Sequence, residues 1–577
     1  MSEMILPGTY IDVLAEGLIA PGQVTVGNLG VLGTATKGPV GQPTLLSTYN
    51  DAVAIFGSYD SFIDPSDPNK RRADSLTLVR ALEIAFQQGA SIVYAVRVAG
   101  SSLAYATAEL SSTGGPCVDL QANSQGAWGN DLTVTVTDPA STDVLTVEES
   151  TTLSADQATS KTVPLQHSAL QAPTPPPRNR VLITNLDGSV VTPTIVNSAP
   201  APKQVQITAT DLLLGDALPA GTVVTVTYVV DPTAFVNVTI ALGTTKETYL
   251  VTDGDALVTA VSDVTAPSSL VTATPAANHT EHPTVQSVPF TKGDDGAAGA
   301  EYGGENGLDT LLDVDAHIIV AAGQPNLTST TTGADLAAHC AKASTDVFKH
   351  DRIAIIGSGF TRGDLRAPTT SDIVTYVDTL LGNTVISDRV VFVAPGFLAT
   401  SSADAGQAVM LSGAYTAAAI AGMLAALPPH ISLTNKPVAV ANLEVAFNNA
   451  QLTELVQNGV TAVEKSPGIL VLRGQTTQVQ GAFREITTRR IIDYAKYGVR
   501  SAAQPYIGLL NNDRVRAALR ATINSFLKQM LDDEMLVGYT LDVTATRDQQ
   551  IAGIAQVTMT LQPVFSINFI HVTMILS

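Results

Sequence analysis

Residues 484–577 constrain this chain more than any other stretch: a basic amphipathic helix, a hairpin, and then a strand that runs to the last residue. From Asn511, the segment NNDRVRAALRATINSFLKQM opens with an Asn expected at the N-cap. Val515, Leu519, Thr522, Ile523, Phe526 and Met530 recur at helical spacing, so one face is built for burial. At about 100° per residue, Arg514, Arg520 and Lys528 fall within a sector of about 120° on the opposite face, with Arg516 at the edge of the apolar stripe. That face is cationic in a protein of net charge −21, which points to a specific acidic neighbour.

The strands that follow alternate cleanly. Tyr539, Leu541 and Val543 point one way and Thr540, Asp542 and Thr544 the other; Val557, Met559 and Leu561 alternate with Gln556, Thr558 and Thr560. A polar, Gly-ended loop over residues 547–553 joins them, so a β-hairpin is expected. Beyond Pro563, VFSINFIHVTMILS is another alternating strand with no turn signal and no polar tail. An apolar strand of this kind is an aggregation hazard unless it has a definite partner. At the other end, MILPGTYIDVLAEG is short, extended by its Pro-Gly, and set off from the first core strand by GLIAPGQ.

PGTYIDV, then VGNLGVLGTATKGPVGQPTLLSTYNDAVAIFG, and finally TTRRIIDYAKYGVRSAAQPYIGLLNNDRVRAALRATINSFLKQMLDDEMLVGYTLDV resemble the contractile-tail sheath proteins of tailed bacteriophages and phage-tail-like injection systems. The resemblance covers residues 1–130 and 300–577 and rests on order and context rather than on one motif. It implies a subunit that stacks as hexameric discs around an inner tail tube, in a lattice that shortens and widens to drive the tube through a membrane. It implies donor arms carrying Ile11, Val13, Phe565, Ile567 and Phe569, and a strand-accepting hairpin with Leu541, Val543, Val557 and Met559. Baseplate and tail terminator proteins are the further partners it implies. The location would be a virion tail, or an extracellular or cytoplasmic injection particle, assembled in the bacterial cytoplasm. An added strand gains about four to six backbone hydrogen bonds of about 0.5–1.5 kcal/mol each. Ordering its residues costs about 1–2 kcal/mol apiece. The two nearly cancel, so burial of the apolar arm side chains must supply the surplus.

Length predicts three to four domains. Only 14% of residues are charged, against about 25% in a typical soluble protein, while 45% are hydrophobic; this suits a subunit that buries surface in an assembly. Residues 465–577 hold 12 Lys/Arg against 8 Asp/Glu, whereas residues 1–464 hold 19 against 44. A positive terminal module on an acidic protein suggests a localised electrostatic contact. Arg514, Arg520 and Lys528 are its expected tube-facing residues, with Arg489, Arg490 and Arg500 next in line. Tyr494, Tyr497, Tyr506 and Phe526 form no stacking platform among these cations, so an acidic protein surface is favoured over nucleic acid.

The expected fold class is multidomain α/β and α+β. A donor arm (1–22) precedes an α/β core made of two parts, 23–115 and 296–440. Between them lies an outer antiparallel β-sandwich insert (116–295), rich in Thr, Val and Pro, with a nested β unit at about 162–232. A tube-proximal α+β domain (441–562) and a second donor arm (563–577) complete the chain. Strand–helix–strand order around SLTLVRALEIAFQQGA, AHIIVAAG, RIAIIG and RVVFVAPG calls for parallel strands covered on both faces.

Several features invite other readings. The uncharged stretch 405–435 centres on SGAYTAAAIAGMLAAL, whose small residues suit a buried helix rather than a membrane span, so no membrane insertion is expected. The N-terminus lacks the pattern of a secretory signal. Gly27, Gly30 and Gly33 have GxxGxxG spacing, not the phosphate-cradling GxGxxG, and read as a close-packed strand. Asp313, Asp315 and His317 alternate before an apolar strand and read as its polar lead-in rather than as metal ligands. Cys340 beside His339 reads as a helical core cysteine, and GDDG at 293–296 as a domain-return loop. Walker, HExxH and GxSxG motifs are missing, so neither an enzyme nor a cofactor is expected. The competing readings are a surface-layer or adhesin-like assembly protein built on the sandwiches and, more weakly, an enzyme on the α/β core.

Overall fold

Short runs of β-branched and aliphatic residues, each closed by a turn, build the central sheet. The computed structural model describes residues 26–72 and 74–575. They divide into two units, residues 102–296 and the chain on either side of them. Ile11, Val13 and the whole of the 1–22 arm lie outside the described residues.

In the first unit the elements run β1 (Leu29–Gly33), β2 (Thr44–Leu46), α1 (Tyr49–Phe56), α2 (Leu78–Gln87) and β3 (Val93–Arg97). After the insert come β4 (Ile318–Ala321), α3 (Thr332–Ala343), β5 (Ile353–Gly357), α4 (Thr370–Gly382) and β6 (Val390–Ala394). Next are α5 (Gly413–Ala426), α6 (Asn449–Gln457), β7 (Val460–Lys465) and β8 (Ile469–Val471). The sheet order is β2-β3-β1-β4-β5-β6-β7-β8, parallel from β3 to β7 and antiparallel at both edges. Alternation along each strand divides the side chains between two cores. Leu29, Val31, Ile318, Val320, Ile355 and Val391 pack with α1, α2 and α5. Leu32, Ile319, Ile356 and Phe392 pack with Leu336 and Cys340 of α3, Tyr376 and Leu380 of α4, and Leu455 of α6.

The alanine-rich stretch is α5, whose residues from Gly413 to Leu424 are all buried. Its small side chains let it lie flat between α2 and the sheet. No helix among the described residues is long and apolar enough to cross a membrane.

The α/β core extends beyond residue 440, contrary to expectation. Strand β7 joins β6 in parallel register (Phe392 opposite Val460), and β8 adds to β7, so the sheet continues to Val471.

The second unit begins at 102 rather than 116, because Thr107–Ser111 pairs with Pro116–Ala122. That pair and Val271–Pro275 make one antiparallel sheet. Leu132–Thr137, Val236–Leu242, Thr245–Val251 and Gln286–Pro289 make another. Leu120, Val134, Val238 and Phe290 share the core of this pair. The nested module runs from Thr146 to Val229 rather than 162–232, since Thr146–Thr152 is laddered to Val223–Val229. It has two four-stranded sheets and its own core around Val181, Leu212 and Tyr228. Entry and exit of the unit lie side by side, Ala104 and Asp294 exchanging backbone hydrogen bonds of 3.1 and 3.2 Å. The unit holds 6 Lys/Arg and 19 Asp/Glu, so it carries more than half of the protein's net negative charge.

Candidate assembly site

Four elements follow the sheet: α7 (Ile486–Ala503), α8 (Asp513–Asp532), β9 (Leu536–Thr544) and β10 (Gln556–Pro563). The cap of α8 is Asn512, whose side-chain oxygen accepts from the Val515 amide at 2.9 Å. Asn511 does a different job, donating at 2.9 Å to the carbonyl of Ile554 at the hairpin tip. Leu519, Thr522, Ile523, Phe526 and Met530 are buried and Val515 is half-buried. Arg516 is buried too, paired with Asp513 and donating at 2.7 Å to Asn511. Arg514, Arg520 and Lys528 are exposed.

Helices α7 and α8 cross where α7 has no side chain. A Cβ at Gly498 would come within 1.8 Å of the Phe526 ring, so the crossing requires glycine at this point. Phe526 stacks on Tyr494 with ring centroids 5.7 Å apart.

The hairpin pairs Leu541 with Met559 and Val543 with Val557. These four side chains, with Tyr539 and Leu561, turn towards α7 and α8 and share one core with Ile523 and Phe526. They therefore support the hairpin from below, and what the hairpin offers a partner is backbone. Sheet β9-β10 has two strands, so both outer edges are unpaired among the described residues. Its other face carries Thr540, Asp542, Thr544, Thr558 and Thr560, all exposed. The connection is not an irregular loop, because Thr546 and Gln549 cap a short helix, Arg547–Ile551.

Beyond β10, the Val564 amide donates to the carbonyl of Met535 at 3.1 Å. The expected strand after Pro563 is not formed within the subunit: residues 564–575 have no regular secondary structure. Phe565, Ile567 and Phe569 are 65%, 80% and 82% exposed, while Val564, Ser566 and Asn568 between them are half-buried. The segment thus keeps an outward apolar row and an inward, mostly polar row without a strand beside it. Among the described residues it pairs with no strand edge.

Most of the positive charge of the C-terminal region is absorbed internally. Arg489 and Asp493, one helical turn apart on α7, pair at 2.6 Å; Arg489 also reaches Asp388 at 3.1 Å. Asp493 takes Arg389 at 3.0 Å, and Arg389 bonds Asp351 at 3.1 Å. The fully buried Asp351 carboxylate also receives Lys496 and, at 2.6 Å, Arg500. Arg490 donates to the carbonyl of Leu427 at 2.9 Å, and burial pulls its pKa down to about 10. Arg489, Arg490 and Arg500 therefore fasten α7 to the sheet unit and are poor candidates for an external contact. The i,i+4 spacing of Arg489 and Asp493 hinted at this, but their partners lie about a hundred residues away in sequence.

The remaining features have structural roles. At Gly33 a Cβ would lie 2.8 Å from the Leu78 backbone, so GxxGxxG serves strand–helix packing. In a doubly wound sheet the ligand crevice lies where strand order reverses, here at the carboxyl ends of β1 and β4. Tyr302 stands there, hydrogen-bonded to Thr77 at 3.1 Å and to the Ala322 carbonyl at 3.3 Å, and forms one wall of a cavity of about 570 Å³. His317 stacks edge-on against Tyr497, and Asp315 faces His350 at 3.1 Å. Asp313, Asp315 and His317 form no metal cluster, nor do any other described residues. Burial pushes the Cys340 thiol up to about 12, which leaves it unreactive. The return loop holds the insert's ends together, Ser102 donating to Asp294 at 2.9 Å, and Asp295 accepts from the Ala127 amide at 2.7 Å.

A doubly wound sheet thus carries a helix pair and an open-edged hairpin, an arrangement that can be compared with known proteins. Residues 478–577 match the family model of the phage tail sheath C-terminal domain. The whole chain is similar in fold to a sheath tail protein from Desulfitobacterium hafniense, at 14% identity over 96% of this chain and 100% of that one, with a TM-score of 0.54. It is also similar to one from Listeria innocua, at 12% identity over 95% and 94%, with a TM-score of 0.55. Comparison with curated proteins gives no match. The chain has the mixed α/β multidomain fold seen in these sheath tail proteins, and its C-terminal module matches the tail sheath C-terminal domain.

Proposed function

We propose that the protein is the structural subunit of a contractile tail sheath. It polymerises as hexameric discs around an inner tail tube and contracts to drive the tube through a target cell envelope. The observation that carries this reading is the pairing, inside the matched sheath domain, of a two-edged hairpin with a following segment whose apolar row faces solvent. Each subunit thus has an acceptor and a donor that cannot satisfy each other in place. Repetition of donor on acceptor gives an open-ended polymer. Phe565, Ile567 and Phe569, with Ile11 and Val13 of the N-terminal arm, act as the donated side chains. The hairpin resting on Leu541, Val543, Val557 and Met559 receives them.

Arg514, Arg520 and Lys528 face the tube. Energy for contraction comes from the difference between two lattice packings. Baseplate and tail terminator proteins bound the polymer at its ends. The acidic unit 102–296 is its outer decoration. The assembled particle is a phage tail or an injection device built in the bacterial cytoplasm.

Deletion of residues 565–577 tests the reading. The truncated subunit should remain soluble, with its melting midpoint within about 2 °C of the full chain, because the apolar side chains described between 565 and 575 are all exposed. Negative-stain microscopy should show striated tubes for the full chain and none for the truncation. Normal tubes from the truncated chain would refute arm-driven assembly.

A further inference from the structure

The C-terminal segment touches its own subunit at one further place. Thr434 donates through its hydroxyl to the Asn568 side-chain oxygen at 3.3 Å, and Asn568 donates to Glu485 at 3.4 Å. Glu485 is itself paired with Arg473 at 2.5 Å, and the Arg473 guanidinium lies over the Phe569 ring, 5.7 Å from its centre. Beside these contacts opens a cavity of about 620 Å³ walled by Leu452 and Val456 of α6, by Leu472 and by Arg484, with Asn568 and Phe569 at its mouth. Thr434 is held in place independently of the arm: its hydroxyl accepts from the Gly474 amide at 3.2 Å and its own amide donates to Ser432 at 3.1 Å. The place that receives Asn568 is therefore built by the core.

We propose that this groove is a second docking site for the C-terminal arm, used in cis, which competes with the hairpin of a neighbouring subunit. The proposal rests on the reading of residues 565–577 as the assembly arm. Its occupant is the segment 566–570 of the same chain, anchored by Asn568. An unsheltered row of Phe565, Ile567, Phe569, Ile570 and Val572 would promote indiscriminate association of free subunits. A polar clip at Asn568 next to an apolar groove restrains that row while leaving Phe569 largely accessible. The hold is weak by construction, because its two hydrogen bonds are long and no backbone ladder forms. A neighbour's hairpin edge supplies the ladder and draws the arm away. The clip thus sets a threshold: the arm leaves its own subunit only when a correctly placed acceptor is present.

Two variants of the full chain move assembly in opposite directions. Asn568→Ala releases the clip, and the lag of tube-free polymerisation followed by light scattering should shorten about fivefold, as expected if its two long hydrogen bonds together are worth about one ordinary bond. Thr453 also lines the groove, and Ser566 lies on the inward row of the arm; Thr453→Cys with Ser566→Cys, joined by a bismaleimide, fixes the arm at the groove without touching the donated side chains. The native Cys117 and Cys340 are buried and do not compete for the reagent. The joined subunit should stay monomeric, while the same double variant left unjoined should polymerise. An unchanged lag for Asn568→Ala, failure of the free subunit to cross-link, or normal polymerisation of the joined form would each overturn the proposal. The deletion of 565–577 separates the two ideas: if it still forms tubes, arm-driven assembly itself fails; if it forms none while the clip variants behave as wild type, only the cis site fails.

Discussion

The eight-stranded sheet and the C-terminal hairpin are made of similar strands, yet one is finished and the other is not. Every parallel strand of the large sheet is covered on both faces, by α1, α2 and α5 on one side and by α3, α4 and α6 on the other. The hairpin is covered on one face only, by α7 and α8, and ends in a segment with no partner in its own chain. A finished sheet gains nothing from a neighbour, whereas an open edge followed by an apolar row gains both hydrogen bonds and burial. The difference separates the part of the molecule that stores stability from the part that makes assembly. The ion cluster under α7 joins the two.

That joint is where the comparison can be broken most forcefully. Asp493→Ala leaves Arg389 and Arg489 buried with fewer counter-charges, and should destabilise the sheet unit by about 3–5 kcal/mol in denaturant melts. A loss below about 1 kcal/mol would mean that α7 is held by its apolar face alone and that the two regions are mechanically separate.

Acid should act on the finished region next. Burial holds His317 and His339 near pKa 4, the charge of Arg352 contributing at both. In the unfolded chain they titrate near 6.5, so on acidification the unfolded state takes up protons first. Stability present above pH 6.5 is therefore lost as pH falls towards 4, by up to about 2 kcal/mol per histidine at pH 5. Melts at pH 7 and pH 5 read this directly, and His317→Gln should remove about half of the dependence. A wild-type melt unchanged between the two would show that both rings charge in place.

Smaller effects on folding, with large effects on assembly, are expected at the exposed face of α8. Reversing Arg514, Arg520 and Lys528 to Glu should move folding stability by less than about 0.5 kcal/mol, since all three are exposed. Co-assembly with the tube protein, measured by co-sedimentation, should weaken most at low salt, where repulsion is least screened. Wild-type co-sedimentation at low salt would remove this face from the tube contact. The candidates then lie outside α7, because Arg489, Arg490 and Arg500 are already engaged.

Replacing residues 103–295 with a short Gly/Ser linker should change the melt of the sheet unit least of all. Gly100 already lies against Ala298, where a Cβ would come within 2.4 Å of the Ala298 carbonyl, so the cut ends are neighbours. Loss of a cooperative melt would show that the sheet is less complete than its two covered faces imply.

Much of this architecture was legible along the chain. The alternation of Leu541 and Val543 with Thr540 and Asp542, and the helical recurrence of Leu519, Ile523, Phe526 and Met530, are local periodic signals, and the structure follows them closely. The small-residue run of α5 was likewise readable as buried, because composition limits how closely helices can pack.

What the sequence by itself determined, then, was which residues turn inward and which strands alternate, since those depend on spacing of two or four residues. Only the tertiary structure decided where the core ends, because the pairing of Phe392 with Val460 is a long-range choice with no local marker. It also decided which cations are buried. Arg490 and Arg514 look alike in sequence, but one is buried under the carbonyl of Leu427 and the other is exposed on α8. Charge acts through space, and the partners that neutralise Arg489 and Arg500 come from Asp388 and Asp351, brought near only when the sheet has closed.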